Sequence, residues 1–238
     1  MKKIILLLLI ASSTFAQKNE IHVSVGMSRP MGTFGATSDD LNKDMSIKNG
    51  FAKKGLNINL GFTRWINKSI GVSLSCFNST NAVDNGAKSA YSKTLYAIGK
   101  GSKDEVFFTE KWQNSATLVG VSLKASAGKI SVIPSVQVGV GRIIKPLQSL
   151  EQNYPGIDPM IYDVPKVVFY KTAYSVSLQA QYGFTEKLSA GISMGYFGTG
   201  YKNQTIKYSY PNTSSTYSTK ESRSIMLGSL SAGLTYIF

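Results

Sequence analysis

The chain has 238 residues, one cysteine, one histidine and a formal net charge of +13, and 42% of its residues are hydrophobic. A single cysteine excludes an internal disulfide, and a single histidine with no cysteine or acidic cluster around it offers no set of metal ligands. Such an excess of positive charge would favour nucleic acid as the partner of a cytosolic protein, but the first residues direct this chain out of the cytosol.

The N-terminal segment has the three parts of a secretory signal peptide. Two lysines precede an apolar run over residues 4–10, and small residues then lead to Ala16. This pattern predicts cleavage after Ala16, a signal peptide over residues 1–16 and one domain over residues 17–238. Cleavage lowers the formal net charge to +11 because it removes both lysines. An exported chain meets anionic lipid or polysaccharide, so we expect no nucleic-acid partner.

Alternation of apolar and polar residues predicts eight β-strands. In each run the large apolar residues share one parity, while Ser, Gly, Thr, Asn and Gln share the other. A period of two residues is that of a strand, and no segment of the domain reaches the roughly 18 apolar residues of a spanning helix. In chain order the alternating runs are 20–28, 55–63, 70–76, 116–128, 131–141, 173–183, 188–196 and 229–238.

The connections between these runs alternate strictly between short and long. Runs two and three, four and five, and six and seven are joined by a few residues, whereas the other connections have roughly 20 residues or more, far above the usual length. In an up-and-down meander this alternation places all long loops at one end. The short turns and both termini then lie together at the opposite end.

The composition of the two strand faces predicts which face meets lipid. The polar face carries small residues instead of long charged ones, which suits a narrow barrel interior, and the large residues of the apolar face suit contact with lipid. The alternating runs are also about as long as the roughly 9 to 11 residues that a membrane-spanning strand needs. Aromatic residues near the ends of the runs predict two interfacial girdles. A soluble lipocalin-like barrel is the alternative. The predicted girdle residues are Trp65, Tyr182, Tyr236 and Phe238 by the short turns, and Tyr174, Tyr196 and Phe77 toward the long loops.

Together these features resemble the small eight-stranded outer-membrane β-barrel proteins of OmpA, OmpX and OmpW type. The resemblance also includes the ending Leu234-Thr235-Tyr236-Ile237-Phe238. It implies an all-β, eight-stranded antiparallel up-and-down transmembrane barrel in the outer membrane of a Gram-negative bacterium, with short periplasmic turns, four long extracellular loops and periplasmic termini. It further implies that the barrel-assembly machinery reads Leu234, Tyr236 and Phe238 as an insertion signal.

The resemblance favours a non-enzymatic protein that needs no cofactor. Its basic and tyrosine-rich surface loops would serve envelope integrity, adhesion or the binding of an extracellular ligand that the sequence does not identify. Alternating residues before the fourth strand, and again at 206–210, predict that strands four, seven and eight project beyond the membrane. The alternative function is a narrow OmpW-like channel or carrier for small apolar solutes.

Two individual residues are candidates for a specific role. Arg142 has the lipid-facing parity at the loop end of the fifth strand, which predicts contact with outer-membrane lipid and with lipopolysaccharide phosphates. His22 begins the first strand, on the polar face. Some eight-stranded barrels that modify lipid A use a histidine and a serine on the extracellular side, but His22 is expected at the periplasmic end. We therefore predict no catalytic residue and no metal site.

Overall fold

The computed structural model describes residues 18–36, 50–90, 104–154, 157–210 and 215–238. This part of the chain is almost entirely β-structure. A helix α1 (Gly32–Gly35) follows the first strand, and residues 85–90 form a second helical segment, α2. The strands are β1 (Asn19–Met31), β2 (Ala52–Trp65), β3 (Ile70–Val83), β4 (Asp104–Thr109), β5 (Trp112–Leu123), β6 (Ala125–Ala127), β7 (Ile130–Lys145), β8 (Gln148–Tyr154), β9 (Ile157–Val164), β10 (Val167–Gly183), β11 (Leu188–Tyr210) and β12 (Ser215–Ile237).

Eight of these strands form a closed antiparallel ring. Their order around the ring is β1-β2-β3-β5-β7-β10-β11-β12, and β12 pairs with β1 from Glu20↔Ile237 to Met31↔Met226. The eight runs predicted from the sequence correspond to these eight strands, so the predicted eight-stranded antiparallel barrel is confirmed. Closure pairs both sides of every strand in the ring, which leaves no sheet edge there.

Three tight turns, the first described residue Lys18 and the C-terminal Phe238 lie together, at what we call the turn end of the barrel. Between β2 and β3, Asn67 Oδ1 accepts two backbone N–H bonds of 2.8 Å, and between β10 and β11 Thr185 Oγ1 accepts two of 3.2 and 3.0 Å. Such side-chain bonds stabilise tight turns. The turn between β6 and β7 uses Gly128 at φ +59°, a conformation that glycine adopts readily. The opposite end, with the long connections, is the loop end.

The sheet of the ring continues beyond the loop end. Strands β11 and β12 have 23 residues each, about twice the roughly 9 to 11 residues that span a bilayer. Strand β9 pairs with β11 at Ser209↔Asp163, β8 pairs with β9, and β4 pairs with β8. These five strands, in the order β12-β11-β9-β8-β4, are the projecting sheet. The segment before the fourth ring strand is thus a separate strand, β4, and the β8–β9 hairpin was not predicted.

The outer face of the ring is apolar and exposed. Val136 is 62% exposed and Ile192 59%, the reverse of the burial expected for such residues in a water-soluble sheet. In the described ranges, no helix is long and apolar enough to span a membrane.

Candidate functional site: the barrel interior and its loop end

The barrel interior changes character halfway along the strands. Toward the turn end most inward side chains are Ser, Thr, Asn and Gln, as the sequence predicted. Toward the loop end the same inward parity carries large apolar residues that pack into one cluster, so the predicted small polar interior is correct for only half of the barrel. The buried members from the ring strands include Phe77, Leu118, Ile143, Phe169, Phe197, Tyr201, Ile225 and Leu227.

Aromatic rings fill the cross-section of this half, and we call them the plug: Phe34, Phe77, Trp112, Phe169, Phe197 and Tyr201. The rings of Phe77 and Phe197 stack with centroids 4.6 Å apart, and those of Phe169 and Tyr201 are 4.3 Å apart. Phe77 therefore lies inside the barrel, not in the girdle where the sequence analysis placed it.

Helix α1 adds one aromatic ring to the plug from the loop end of the barrel. It carries Phe34 inward, where the ring meets Trp112 edge to face with centroids 5.4 Å apart. Both side chains are almost fully buried, and Trp112 Nε1 donates a hydrogen bond of 3.2 Å to the carbonyl of Gly50. The described parts of the first long connection, residues 32–36 and 50–51, thus lie over the barrel mouth.

A buried charged cluster joins the plug to the projecting sheet; we call it the mouth cluster. Glu221 forms ion pairs with Lys145 and with Arg223, whose Nη2 lies 2.7 Å from Oε1, and it accepts a hydrogen bond of 3.1 Å from the Tyr201 hydroxyl. The Arg223 guanidinium lies 5.2 Å from the centroid of the Trp112 ring. Because buried charges are costly unless paired, this arrangement fixes the base of the β11–β12 extension against the barrel mouth.

Charged and aromatic side chains also fill the turn end. Lys124 Nζ lies 2.6 Å from Glu20 Oε1 and 5.1 Å from the centroid of the Trp65 ring. Trp65 is 5% exposed and shares the inward parity of Asn57 and Thr63. It therefore does not belong to the lipid-facing girdle that we predicted for it. Its ring packs against the lysine within the barrel instead.

Between the two closures lies a polar chamber with two cavities of about 60 Å³ each. Each has room for a few water molecules at roughly 10–15 Å³ apiece. His22 borders both cavities, and its Nδ1 accepts a hydrogen bond of 2.9 Å from Gln179 Nε2. His22 Nε2, Ser24 Oγ and Asn59 Oδ1 are buried without a protein partner. These three atoms would be satisfied by water in the cavities.

The other predicted girdle residues lie on the outer face. Tyr174 and Tyr182 are each 46% exposed, and Tyr196 is half-buried with its ring centroid 6.1 Å from that of Tyr174. The Tyr174 ring also covers Gly198, where a Cβ would lie 2.3 Å from Cζ. A glycine at this position thus makes room for the tyrosine ring on the outer wall.

The candidate insertion signal and the candidate lipid contact are outward as well. Leu234 and Tyr236 on β12 and Phe238 directly after it are all exposed, and the rings of Tyr236 and Phe238 stack with centroids 6.1 Å apart. Arg142 is exposed near the loop end of β7. Within the described residues there is no group of three His, Cys, Asp or Glu that could hold a metal ion.

A closed antiparallel ring of eight strands, apolar outside and filled by its own side chains, is the fold of a small outer-membrane β-barrel protein. The solved structure of a major outer membrane protein from Thermus thermophilus has this fold, with a TM-score of 0.53 and 14% identity over 94% of this chain and 100% of that one.

Two other solved structures are similar at lower scores. Ail, the attachment invasion locus protein of Yersinia pestis, has a TM-score of 0.47 and 12% identity over 94% of this chain and 100% of its own. The outer membrane protease OmpT from Escherichia coli has a TM-score of 0.48 and 12% identity over 95% of this chain and 100% of its own. The sequence matches no protein-family profile and no curated protein.

Proposed function

We propose that this protein is a non-enzymatic outer-membrane barrel that anchors the projecting sheet at the cell surface for adhesion or ligand binding. One observation carries the proposal: β11 and β12 continue far beyond the length that a bilayer requires and hold β9, β8 and β4 beside them. Backbone pairing beyond the bilayer is not needed to span it. A paired extracellular sheet instead offers a rigid platform for recognition.

The proposed orientation places the loop end outside the cell and both termini in the periplasm. It follows the general arrangement of outer-membrane barrels, whose turns are short on the periplasmic side and whose loops are long on the other. In this orientation Leu234, Tyr236 and Phe238 form an apolar strip near the periplasmic end, where we propose that the barrel-assembly machinery recognises them. The signal peptide over residues 1–16 remains a prediction, since those residues lie outside the described ranges.

The basic surface suggests the chemistry of the ligand. In the described part of the loop end, Lys54, Lys202 and Lys220 are exposed. The domain as a whole carries an expected net charge of +11 after cleavage. Long-range attraction therefore favours an anionic surface, such as an acidic polysaccharide. The tyrosines at 208, 210 and 217 lie on strands of the projecting sheet, and their contribution to binding is part of the proposal.

The filled interior argues against the alternative of a narrow channel or carrier. The plug occupies the loop half, and Glu20, Lys124 and Trp65 occupy the turn end. We therefore expect the protein to be silent in planar-bilayer conductance measurements; steady channel currents would favour the alternative. The position of His22 inside the turn end, bonded to Gln179, also supports a role other than lipid A chemistry.

Removal of the projecting hairpin tests the proposal. In this variant a short turn replaces residues 205–220, which leaves the ring and the mouth cluster around Glu221 intact. Heat-modifiable mobility in gels should show normal barrel insertion, and cells that express the variant should lose adhesion to a film of acidic polysaccharide.

A second variant, with residues 211–214 replaced by a protease site, should be cleaved on intact cells. Unchanged adhesion without the hairpin would contradict the proposed role, and protection of the protease site would contradict the orientation.

A further inference from the structure

A groove of about 510 Å³ lies in the outer wall of the barrel, on the face that meets lipid. Its volume falls in the roughly 300–1,000 Å³ range of small-molecule sites. It begins at Ile58 and Leu60 on β2, crosses β3, β5 and β7, and ends at β10. The side chains that shape it are Cys76, Asn78, Ser115, Thr117, Arg142 and Tyr170.

Short side chains create this groove in a wall that is otherwise made of large apolar residues. Asn78 pairs with Ser115, and Cys76 pairs with Thr117, so four short residues form two adjacent cross-strand pairs. The next pair toward the turn end on the same face is Leu74 with Val119, both about half exposed. Along β3 and β5 the apolar wall thus becomes a depression with polar atoms on its floor.

Arg142 stands at the edge of the groove, where the exposed wall ends. Val140, two residues nearer the turn end on the same face, is 58% exposed, whereas Ile144, two residues farther along, is 5% exposed. Arg142 pairs across the strands with Ser115 on one side and with Tyr170 on the other, and Tyr170 is 66% exposed. An arginine and a tyrosine side by side at such a boundary are typical of the level of lipid headgroups.

No described residue forms an ion pair with Arg142, so its charge is available to a ligand. A guanidinium at the edge of hydrocarbon needs an anion, and its planar fork of N–H donors matches the oxygens of a phosphate. The groove beside it is mainly apolar. The site thus combines one cation with an apolar groove. This combination matches a ligand in which a phosphate group is joined to an acyl chain.

We propose that this groove binds one molecule of lipopolysaccharide, with a lipid A phosphate on Arg142 and an acyl chain along Cys76 and Thr117. The choice of lipopolysaccharide over a glycerophospholipid rests on the proposed orientation, which places the groove in the outer leaflet. The polar atoms of Asn78, Ser115 and Tyr170 then face the glucosamine end of the lipid. The binding itself does not depend on what the projecting sheet recognises.

The test is native mass spectrometry of the purified, folded barrel released from micelles that contain defined lipids. Bisphosphorylated lipid A should remain bound as a single copy, and its dephosphorylated form with the same acyl chains should be retained roughly tenfold less, since a charge-assisted hydrogen bond is lost. Arg142→Gln should reduce retention of lipid A by a similar factor. Equal retention of lipid A and phosphatidylglycerol by the natural protein would overturn the assignment to lipopolysaccharide.

Two further variants separate the groove from general effects of charge. Arg29→Gln is the matched control, because Arg29 is an exposed, outward cation on β1, on the opposite side of the eight-strand ring. Arg29→Gln should retain lipid A like the natural protein.

Thr117→Leu keeps every charge but fills the groove, and it should lower retention of lipid A as Arg142→Gln does. Equal losses in Arg142→Gln and Arg29→Gln, or full retention in Thr117→Leu, would overturn the proposal. These measurements use purified protein, so loss of adhesion on cells has no bearing on them.

Discussion

Phe77 and Phe197 stack face to face from opposite walls of the barrel, with ring centroids 4.6 Å apart. They belong to β3 and β11, which lie four positions apart in either direction around the ring of eight. A contact of this kind joins the two halves of the ring through its interior. The plug is therefore part of what holds the cylinder in shape, as well as a closure of the lumen.

This contact predicts strong coupling between the two residues. Phe77→Ala and Phe197→Ala should each lower the free energy of unfolding by about 3–5 kcal/mol, since each removes a buried ring. The double variant should lose less than the sum of the two, by about 0.5–1.5 kcal/mol, because the stacking energy is lost only once. Urea titration of the refolded barrel in lipid vesicles measures all three values.

A matched control for these variants is Phe184→Ala. Phe184 is 55% exposed in the turn between β10 and β11, so its removal leaves no cavity inside the barrel. Strict additivity of Phe77→Ala and Phe197→Ala would mean that the two rings do not stabilise each other.

The sequence predicts the wall of this protein far better than its interior. Parity alone places Val136 and Ile192 outside and Ser73 and Ser231 inside, because a strand turns successive side chains to opposite faces whatever lies around them. The same parity places Phe77 inside, but its aromatic character suggested the membrane interface. Whether an aromatic residue lies at the membrane interface or inside the barrel depends on its position along the barrel axis. That position depends on the register between strands, which a local sequence pattern does not determine.

Trp65 illustrates the same limit at the turn end. An aromatic residue beside a tight turn is typical of an interfacial girdle, but Trp65 continues the inward series of Asn57 and Thr63, and that signal was present in the sequence. Its partner Lys124 and the ion pair with Glu20 come from distant parts of the chain. Contacts across the barrel, like the mouth cluster around Glu221, could not be derived from one sequence.

The mouth cluster predicts a large cost for loss of its single described anion. Glu221→Gln removes the carboxylate that pairs with Lys145 and Arg223, which leaves two positive charges close together in a buried site. We expect the free energy of unfolding to fall by about 3–5 kcal/mol. Hydrogen exchange should also become faster at the base of the β11–β12 extension, as measured by mass spectrometry.

Glu110→Gln provides the comparison for Glu221→Gln. Its partner is Lys166 at 3.1 Å, and both side chains are more than 40% exposed. Exposed pairs of this kind contribute about 0–1 kcal/mol, so this variant should be nearly as stable as the natural protein. Similar effects of the two substitutions would show that burial of the cluster contributes nothing.

Asp84 predicts a pH dependence confined to the second long connection. Its carboxylate accepts a hydrogen bond of 3.0 Å from the backbone N–H of Ala87 and lies 3.3 Å from Lys53 Nζ. The backbone bond, followed by the lysine, lowers the pKa of Asp84 below its ordinary 3.8. The charged form therefore stabilises α2 above that value, and the stabilisation is lost as the pH falls through the lowered pKa.

Amide exchange in residues 85–90, corrected for the intrinsic effect of pH, should accordingly rise in strongly acidic solution. Asp84→Asn should remove the dependence, since an amide does not titrate in this range. Because Asp84 lies in a loop-end connection, outside the ring strands, the change should be local and the barrel should remain folded. A dependence that persists in Asp84→Asn would assign it to another group.

Inward glycines set how closely the strands of this narrow barrel approach, and two of them allow a matched comparison. At Gly120 on β5 a Cβ would lie 1.9 Å from the carbonyl oxygen of Val136 on the neighbouring strand, a backbone atom that cannot move aside without bending the sheet. At Gly61 on β2 the nearest atoms would be 3.9 Å away, at ordinary contact distance.

Gly120→Ala should prevent folding or slow it severely, as followed by heat-modifiable mobility during refolding into vesicles. Gly61→Ala should fold normally and gain about 0.4–1 kcal/mol, because alanine has less conformational freedom in the unfolded chain. If both variants fold equally well, strand approach at β5 and β7 does not require glycine.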